Sequence, residues 1–165
     1  MFRDEELLLA VLNSAPVVDG VPTDALEGAA GRDLVRTWGG TGSSGEVAQL
    51  RRVREALHAV VRGGDDGAVA ELADVMDRTV QIPRTTRDGV VWELRVPDDD
   101  RLAVAAMSAW SSVTSTLPGR LRACANDECN LFLVDHSRPG TAKWCSMATC
   151  GNRMKARAHA RRAKD

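Results

Sequence analysis

The sequence predicts a mainly α-helical body carrying one small β-hairpin, followed by a compact four-cysteine module that ends in a basic helix. Three observations lead there. Apolar residues recur at three- and four-residue spacing through several long segments, the repeat that gathers them on one face of a helix. One Asp-Gly pair, Asp88-Gly89, lies between two runs of strand character and reads as a hairpin turn. All four cysteines fall after Gly119, in two mirrored pairs. At 165 residues the chain can bury about two-thirds of its unfolded surface. With only four Trp, two Phe and no Tyr, the packing falls to Ala, Val and Leu, which favours helices.

Glu5 to Asn13 is the first predicted helix, with Leu8, Leu9 and Leu12 on one side and acids in the first turn, where the helix dipole favours them. Ser14 to Thr23 holds two prolines and a glycine and reads as a loop; Thr23-Asp24 then caps a short helix from Asp24 to Ala30. Asp33 to Trp38 adds one or two helical turns, and Gly39 to Gly45 is a flexible connector. Ser44 caps a helix from Glu46 to Val61, whose Val47, Leu50, Val53, Leu57 and Val61 form an apolar stripe with the arginines outside. His58, beside that stripe, is read as a surface or core-edge residue. Gly63-Gly64 ends the helix and Ala68 to Arg78 begins another. Val80 to Arg84 and Val90 to Val96 are the hairpin strands. Pro97 and three aspartates open a long helix, Arg101 to Leu117, with Leu102, Ala106, Trp110, Val113 and Leu117 inward. Pro118-Gly119 marks the boundary between a body over 1–119 and a module over 120–165.

The cysteines stand at Cys124, Cys129, Cys145 and Cys150, a C-x4-C-x15-C-x4-C pattern. Two thiolate pairs separated by a short spacer are what one tetrahedral ion needs, and zinc is the first candidate because soft thiolates at about 2.3 Å fill its structural shell. A filled shell leaves no position for water or substrate, so this ion builds a surface. Disulfides would need an oxidising compartment. Asp4, Glu5 and Glu6 precede a short apolar stretch, Leu7 to Leu12, which is unlike a signal peptide. No segment approaches the roughly 18 apolar residues of a membrane span. The expectation is a cytoplasmic chain with reduced, metal-binding thiols and no membrane partner.

Within the module, Ala125 to Glu128 is a polar turn, Leu131 to Val134 a short strand, and Asp135 to Thr141 a turn containing Pro139-Gly140. Ser146 is placed to cap a helix running to about Ala163, with Cys150 in its first turn. On that helix Met147, Cys150, Met154 and Ala158 share an arc expected to close on the metal and strand. Arg153, Arg157 and Lys164 line one flank, Lys155, His159 and Arg162 the other, and Ala156, Ala160 and Ala163 lie between them. Small residues rimmed by cations let a helix approach a phosphate backbone. Charge segregates accordingly. Residues 120–165 carry ten Lys/Arg against four Asp/Glu, a net +6, whereas residues 1–119 carry twelve against nineteen, a net −7. An acidic body with a basic end fits a polyanion-binding tip. Asp135, His136 and Ser137 have no nucleophile elbow, metal-carboxylate set or phosphate loop beside them, so no catalytic residue is assigned; Asp135 is expected to fix its turn.

Cys150-Gly151-Asn152-Arg153, with Trp144-Cys145 and Asp135-x-Ser137 before it, resembles the bacterial CGNR zinc-finger family over roughly Leu121 to Arg162. Arg138, Ser146 and Lys155 also stand where that pattern has them. The region before it is similar to the family's helical N-terminal domain, ABATE, through Leu9 to Ser14, Trp38 and the Glu46 to Val61 helix. Ser14 stands where the family commonly has Thr, Ala142-Lys143 where it has an Arg pair, and Leu131 where it tends to place an aromatic residue. The resemblance implies a bacterial transcription regulator with the finger as its DNA-binding part.

The combined expectation is a zinc-dependent DNA-binding regulator holding one structural Zn²⁺. Arg138, Lys143, Asn152, Arg153, Lys155, Arg157, Arg161 and Arg162 are its candidate nucleic-acid contacts; Asn152 stands equally as a support for the metal turn. The N-terminal domain is read as a sensor of a small-molecule or protein signal, or as a dimerisation or partner module. A homodimer is expected because one finger-sized contact, about 600–1,000 Å², rarely gives tight specific binding. Loss of a cysteine is expected to unfold the module and leave the body folded. Two other readings stay open: a protein-interaction zinc ribbon, and a small-molecule-binding protein centred on the N-terminal domain, which a pocket lined by Trp38, Trp92 or Trp110 would favour.

Overall fold

Three helices with apolar stripes make the frame. The computed structural model describes residues 2–64 and 66–163. Helix α1 (Phe2–Leu12) packs along α5 (Arg101–Thr116), and both pack on α3 (Ser44–Val61). Helix α2 (Gly28–Thr37) and helix α4 (Asp66–Met76) each cover α3. The three central helices send side chains to two cores. Leu8, Leu12, Val53, Leu57, Val104, Met107 and Val113 build one, with Leu72 and Val75 from α4. Val11, Leu50, Leu102 and Ala106 build the other, with Val35 from α2. Each fully buried Leu or Val contributes about 1.5–3 kcal/mol, so these clusters dominate the body's stability.

The start of α3 is set one residue earlier than the sequence suggests. Ser43, not Ser44, is the cap: its Oγ accepts the Glu46 N–H at 3.0 Å. Glu46 is itself buried, and its Oε2 accepts from Thr41 N (2.6 Å), Thr41 Oγ1 (2.7 Å) and Gly42 N (3.0 Å). That carboxylate pins the glycine-rich connector, which is therefore not a free linker. Further along α3 two polar residues are inside: Arg54, expected outside the stripe, and His58, expected at the surface or the core edge. Arg54 is 3 % exposed, bonding Asp24 through both terminal nitrogens (2.6 and 2.9 Å) and Ser14 Oγ at 3.0 Å. His58 is also buried, its Nε2 2.7 Å from the Leu12 carbonyl.

Asp24 explains a second correction. It does not cap a helix over 24–30. Its carboxylate accepts the Leu26 N–H at 2.9 Å and the guanidinium groups of Arg54 and Arg51, which ties down a turn. A single helix, α2, then replaces the two expected short ones. It passes so close under that turn that a Cβ on Gly31 would lie 2.1 Å from the Leu26 carbonyl oxygen. The preceding loop also contains a miniature hairpin, β1 (Val17–Val18) and β2 (Val21–Pro22). Asp19 and Gly20, both at positive φ (51° and 80°), turn it, as a primed two-residue turn demands.

The predicted hairpin is present. Strands β3 (Val80–Thr86) and β4 (Gly89–Arg95) pair antiparallel from Val80↔Arg95 to Thr86↔Gly89 around a two-residue turn, Arg87-Asp88. It stands out from the body and makes no sizeable contact with any other element among the described residues. The aspartates after Pro97 form a 3-10 turn, in which Asp100 is buried against Arg78 and Asp99 accepts a hydrogen bond from Ser43 Oγ at 2.5 Å.

The C-terminal segment is joined to the body through a shared core. Strands β5 (Leu121–Ala123) and β6 (Phe132–Val134) pair antiparallel, and Phe132 of β6 is buried in the first core. Its ring centroid is 4.5 Å from that of His58, and the Arg62 guanidinium carbon is also 4.5 Å from the Phe132 centroid. Asn13, at the end of α1, acts as a strand would. Its Oδ1 accepts the Phe132 N–H at 2.7 Å and its Nδ2 donates to the Phe132 carbonyl at 3.2 Å. Asn130 donates to the Ala15 carbonyl and accepts from Arg62, and His136 pairs with Glu5 at 2.8 Å.

Candidate metal centre and basic helix

The β5–β6 pair sets the two ends of the first cysteine turn. Cys124 follows β5 and donates its N–H to Leu131 at 2.8 Å; Cys129 donates to the Asn126 carbonyl at 2.8 Å. The second pair arrives on the returning chain, where Ala125 N–H bonds the Lys143 carbonyl at 2.8 Å. All four sulfurs lie within 4.8 Å of one another. Cys129 Sγ and Cys150 Sγ are each 3.7 Å from Cys145 Sγ. A tetrahedron of sulfurs 2.3 Å from a central zinc has edges of about 3.8 Å, so these spacings fit that ion. They are far longer than the roughly 2.05 Å of a disulfide, and all four thiols are free.

The surroundings are those of thiolate ligands. Asn126, 1 % exposed, donates from Nδ2 to Cys150 Sγ at 3.4 Å, and the Cys145 N–H points to Cys124 Sγ at 3.5 Å. Burial raises the Cys145 thiol strongly and its sulfur neighbours add to the rise; burial chiefly raises Cys129 as well. At Cys150 burial is outweighed by hydrogen bonds from Asn126 and the neighbouring thiols, which lower it. Four thiolates this close repel one another, and a divalent cation is what lets all of them ionise together.

Asp135 fixes the long turn, as its position suggests. It accepts N–H groups of Ser137 (2.8 Å) and Ala142 (3.0 Å). The Ser137 hydroxyl first, then those amides and Arg120, hold its carboxyl below the ordinary range. Arg120 and Arg122 brace the same loop by donating to the Ser137 and Gly140 carbonyls at 2.6 and 2.9 Å. Those two cations and Asn126 hold the module together at positions that sequence reasoning did not single out.

Ser146 does not cap with its hydroxyl. Its carbonyl accepts the Gly151 N–H at 3.0 Å and closes a π turn, Met147–Gly151, that carries Cys150. A side chain at Gly151 would meet Met147 and Trp144. Helix α6 (Asn152–Arg162) begins only after it and has no buried residue. The expected inner arc is therefore reduced to Cys150: Met147 and Ala158 are exposed and Met154 is half-buried. Arg153, Lys155, Arg161 and Arg162 are exposed along α6, while Arg157 is half-buried and paired with Glu128 at 2.6 Å. Arg138 and Lys143 are exposed on the loops of the module. Asn152 is exposed too, and its Nδ2 reaches the Ala148 carbonyl at 3.5 Å rather than a sulfur; the support for the metal turn comes from Asn126. Lys164 lies outside the described residues.

Trp38, Trp92 and Trp110 do not converge, but Trp38 lines two clefts of the body, one of about 160 Å³ beside Glu46 and Leu102 and one of about 450 Å³ beside Leu7 and Arg36, as a small-molecule site centred on this domain would ask. Trp38 packs on the second core, Trp110 on the first, and Trp92 is exposed on β4. Among the described residues no helix is long and apolar enough to cross a membrane.

Residues 2–116 match the ABATE family model, described as "Putative stress-induced transcription regulator", and residues 120–163 match the CGNR zinc finger. The chain belongs to the ABATE family. Its CGNR finger, with four sulfurs at this spacing, takes one structural zinc ion on Cys124, Cys129, Cys145 and Cys150. The ABATE description is of a regulator rather than an enzyme. Comparison with curated proteins finds no match.

Proposed function

We propose that this ABATE protein is a zinc-dependent DNA-binding transcription regulator whose finger docks α6 on a DNA duplex while the helical body, residues 1–119, senses a signal or holds two copies together. The observation that carries the reading is α6 itself. A helix with no buried residue gains little from folding against its own protein, yet it presents Arg153, Lys155, Arg161 and Arg162 to solvent. Cations in that number exceed what the helix dipole rewards, and they match the charge of a phosphate backbone. Arg138 and Lys143 add to the same module, Asn152 opens α6, and Arg157, at mid-helix, is paired with Glu128. Zinc acts here by holding the π turn from which α6 springs, so it orients the helix and performs no chemistry.

A cleft of about 580 Å³ between the body and the finger supports a sensing role, because Arg62, Cys129, Asn130 and Arg153 all line it. A small polar signal bound there would touch the body, the metal turn and the basic helix at once.

Fluorescence anisotropy of the zinc-loaded protein with duplex DNA tests the proposal. About six phosphate contacts give a log–log salt slope near −5, and Lys155→Ala or Arg161→Ala should each flatten it by about 0.9. No binding to any duplex at about 50 mM salt, with zinc bound, would refute DNA as the partner.

A further inference from the structure

We propose that two copies of this chain associate by pairing the free edges of their β4 strands, with Trp92 to Val96 as the contact segment. The inference names the surface for the homodimer considered above and rests on that reading.

The β3–β4 hairpin carries apolar side chains that its own chain leaves uncovered. Trp92 is 64 % exposed and Leu94 43 %, with Val90 and Val91 similarly open. An isolated two-stranded hairpin is marginal in water, and three or more strands stabilise it. Its two edges are not equivalent. The β3 edge holds Pro83, which has no N–H to offer a neighbouring strand. The β4 edge has no proline from Gly89 to Arg95. It also borders a groove of about 360 Å³ formed by Glu93 to Val96 on one side and Val104, Ala105 and Ser108 of α5 on the other. Four successive residues can line one groove only if it runs along the strand's edge, because alternate side chains leave by opposite faces. A strand added there would rest on α5.

Charge chooses the occupant. Read Trp92-Glu93-Leu94-Arg95-Val96 against itself antiparallel, centred on Leu94. Glu93 of each copy then faces Arg95 of the other, Trp92 faces Val96, and Leu94 faces Leu94. The Glu93–Arg95 ion pair therefore forms twice by symmetry, as an isologous twofold contact requires. Centring on Glu93 sets two carboxylates opposite each other, which is destabilising, and centring on Trp92 leaves both charges without a partner. The two tryptophans bring about 300–500 Å² toward the roughly 1,200 Å² that a stable interface buries.

Sedimentation equilibrium of the zinc-loaded full chain tests this without DNA. A dimer is expected at micromolar concentration. Arg95→Glu and Glu93→Arg should each weaken it about tenfold or more, by facing like charges. An equimolar mixture of the two variants should restore association as a heterodimer, and the E93R/R95E double variant as a homodimer. Glu93 also pairs with Arg84 at 2.7 Å within its own hairpin, so Arg95→Glu, which leaves that bridge intact, is the cleaner arm. Circular dichroism checks that each variant folds. A dimer indifferent to both reversals would overturn this surface while leaving the homodimer standing. A monomer at every concentration would overturn both, and neither result touches DNA binding.

Discussion

Arg54 concentrates the energetic risk at the residue scale. It is almost wholly buried, and its charge is tolerated because Asp24 accepts two of its N–H groups and Glu55 and Ser14 take others. Removing one member of a buried pair strands the other, at about 3–5 kcal/mol. Arg54→Met keeps most of the volume and should lower the urea midpoint by an amount equivalent to about 3 kcal/mol at pH 7, read by circular dichroism. The Arg54 hydrogen bonds hold Asp24 down to about 2, against the usual 3.8. A depressed carboxyl stabilises the fold above its unfolded value, so about 1–2 kcal/mol should vanish as pH falls from about 4 to 2, and Arg54→Met should lack that acid limb. The four cysteines were legible in the sequence because tetrahedral coordination dictates their pairing and spacing. Arg54 was not, since an arginine bordering an apolar stripe looks like any surface arginine, and its carboxylate lies 30 residues away. Asn126 was hidden similarly: an asparagine in a polar turn gives no sign that it will face a sulfur.

Elements with a repeating pattern are legible in the sequence, whereas those set by a single contact are not. Helices α1, α3 and α5 follow their apolar spacing, and the hairpin follows its turn and β-branched runs. Helix α2 was misplaced because Asp24 has the chemistry of a helix cap but is engaged by arginines of α3. Helix α6 was placed well and its surroundings were not. Its arc of Met147, Met154 and Ala158 suggested a packed face that the π turn swings away from the core. An 11-residue helix with no buried residue is marginal in water. Hydrogen exchange should therefore separate the two ends of α6: amides after Ala158 should exchange within seconds, while those of α5 persist at least a thousandfold longer. Uniform protection along α6 in the isolated protein would show that something covers it. Protection of these amides on adding duplex DNA would join this behaviour to the proposed docking.

At the scale of the whole molecule, the finger and the ABATE body share a core. The cysteine spacing suggests a self-contained module, but burial of Phe132 between His58 and Arg62, with Asn13 holding its backbone, makes β6 part of the body's packing. Removing a buried phenylalanine costs about 3–5 kcal/mol. The zinc ion secures the turn that ends at Cys129, three residues before Phe132, so losing the ion loosens the strand that carries it. Chelation of the wild-type protein, or Cys150→Ser, should thus lower the melting midpoint of the body's helices by about 10 °C or more, measured at 222 nm, instead of unfolding the tail alone. Phe132→Ala with zinc retained should reproduce most of that loss, and chelating Phe132→Ala should add little to it, because both act through one contact. A body whose melting is unchanged by chelation would mean that β6 keeps its place without the metal. The same contact runs in both directions: whatever tightens the body around Phe132 also steadies the metal turn, and through it the root of the basic helix.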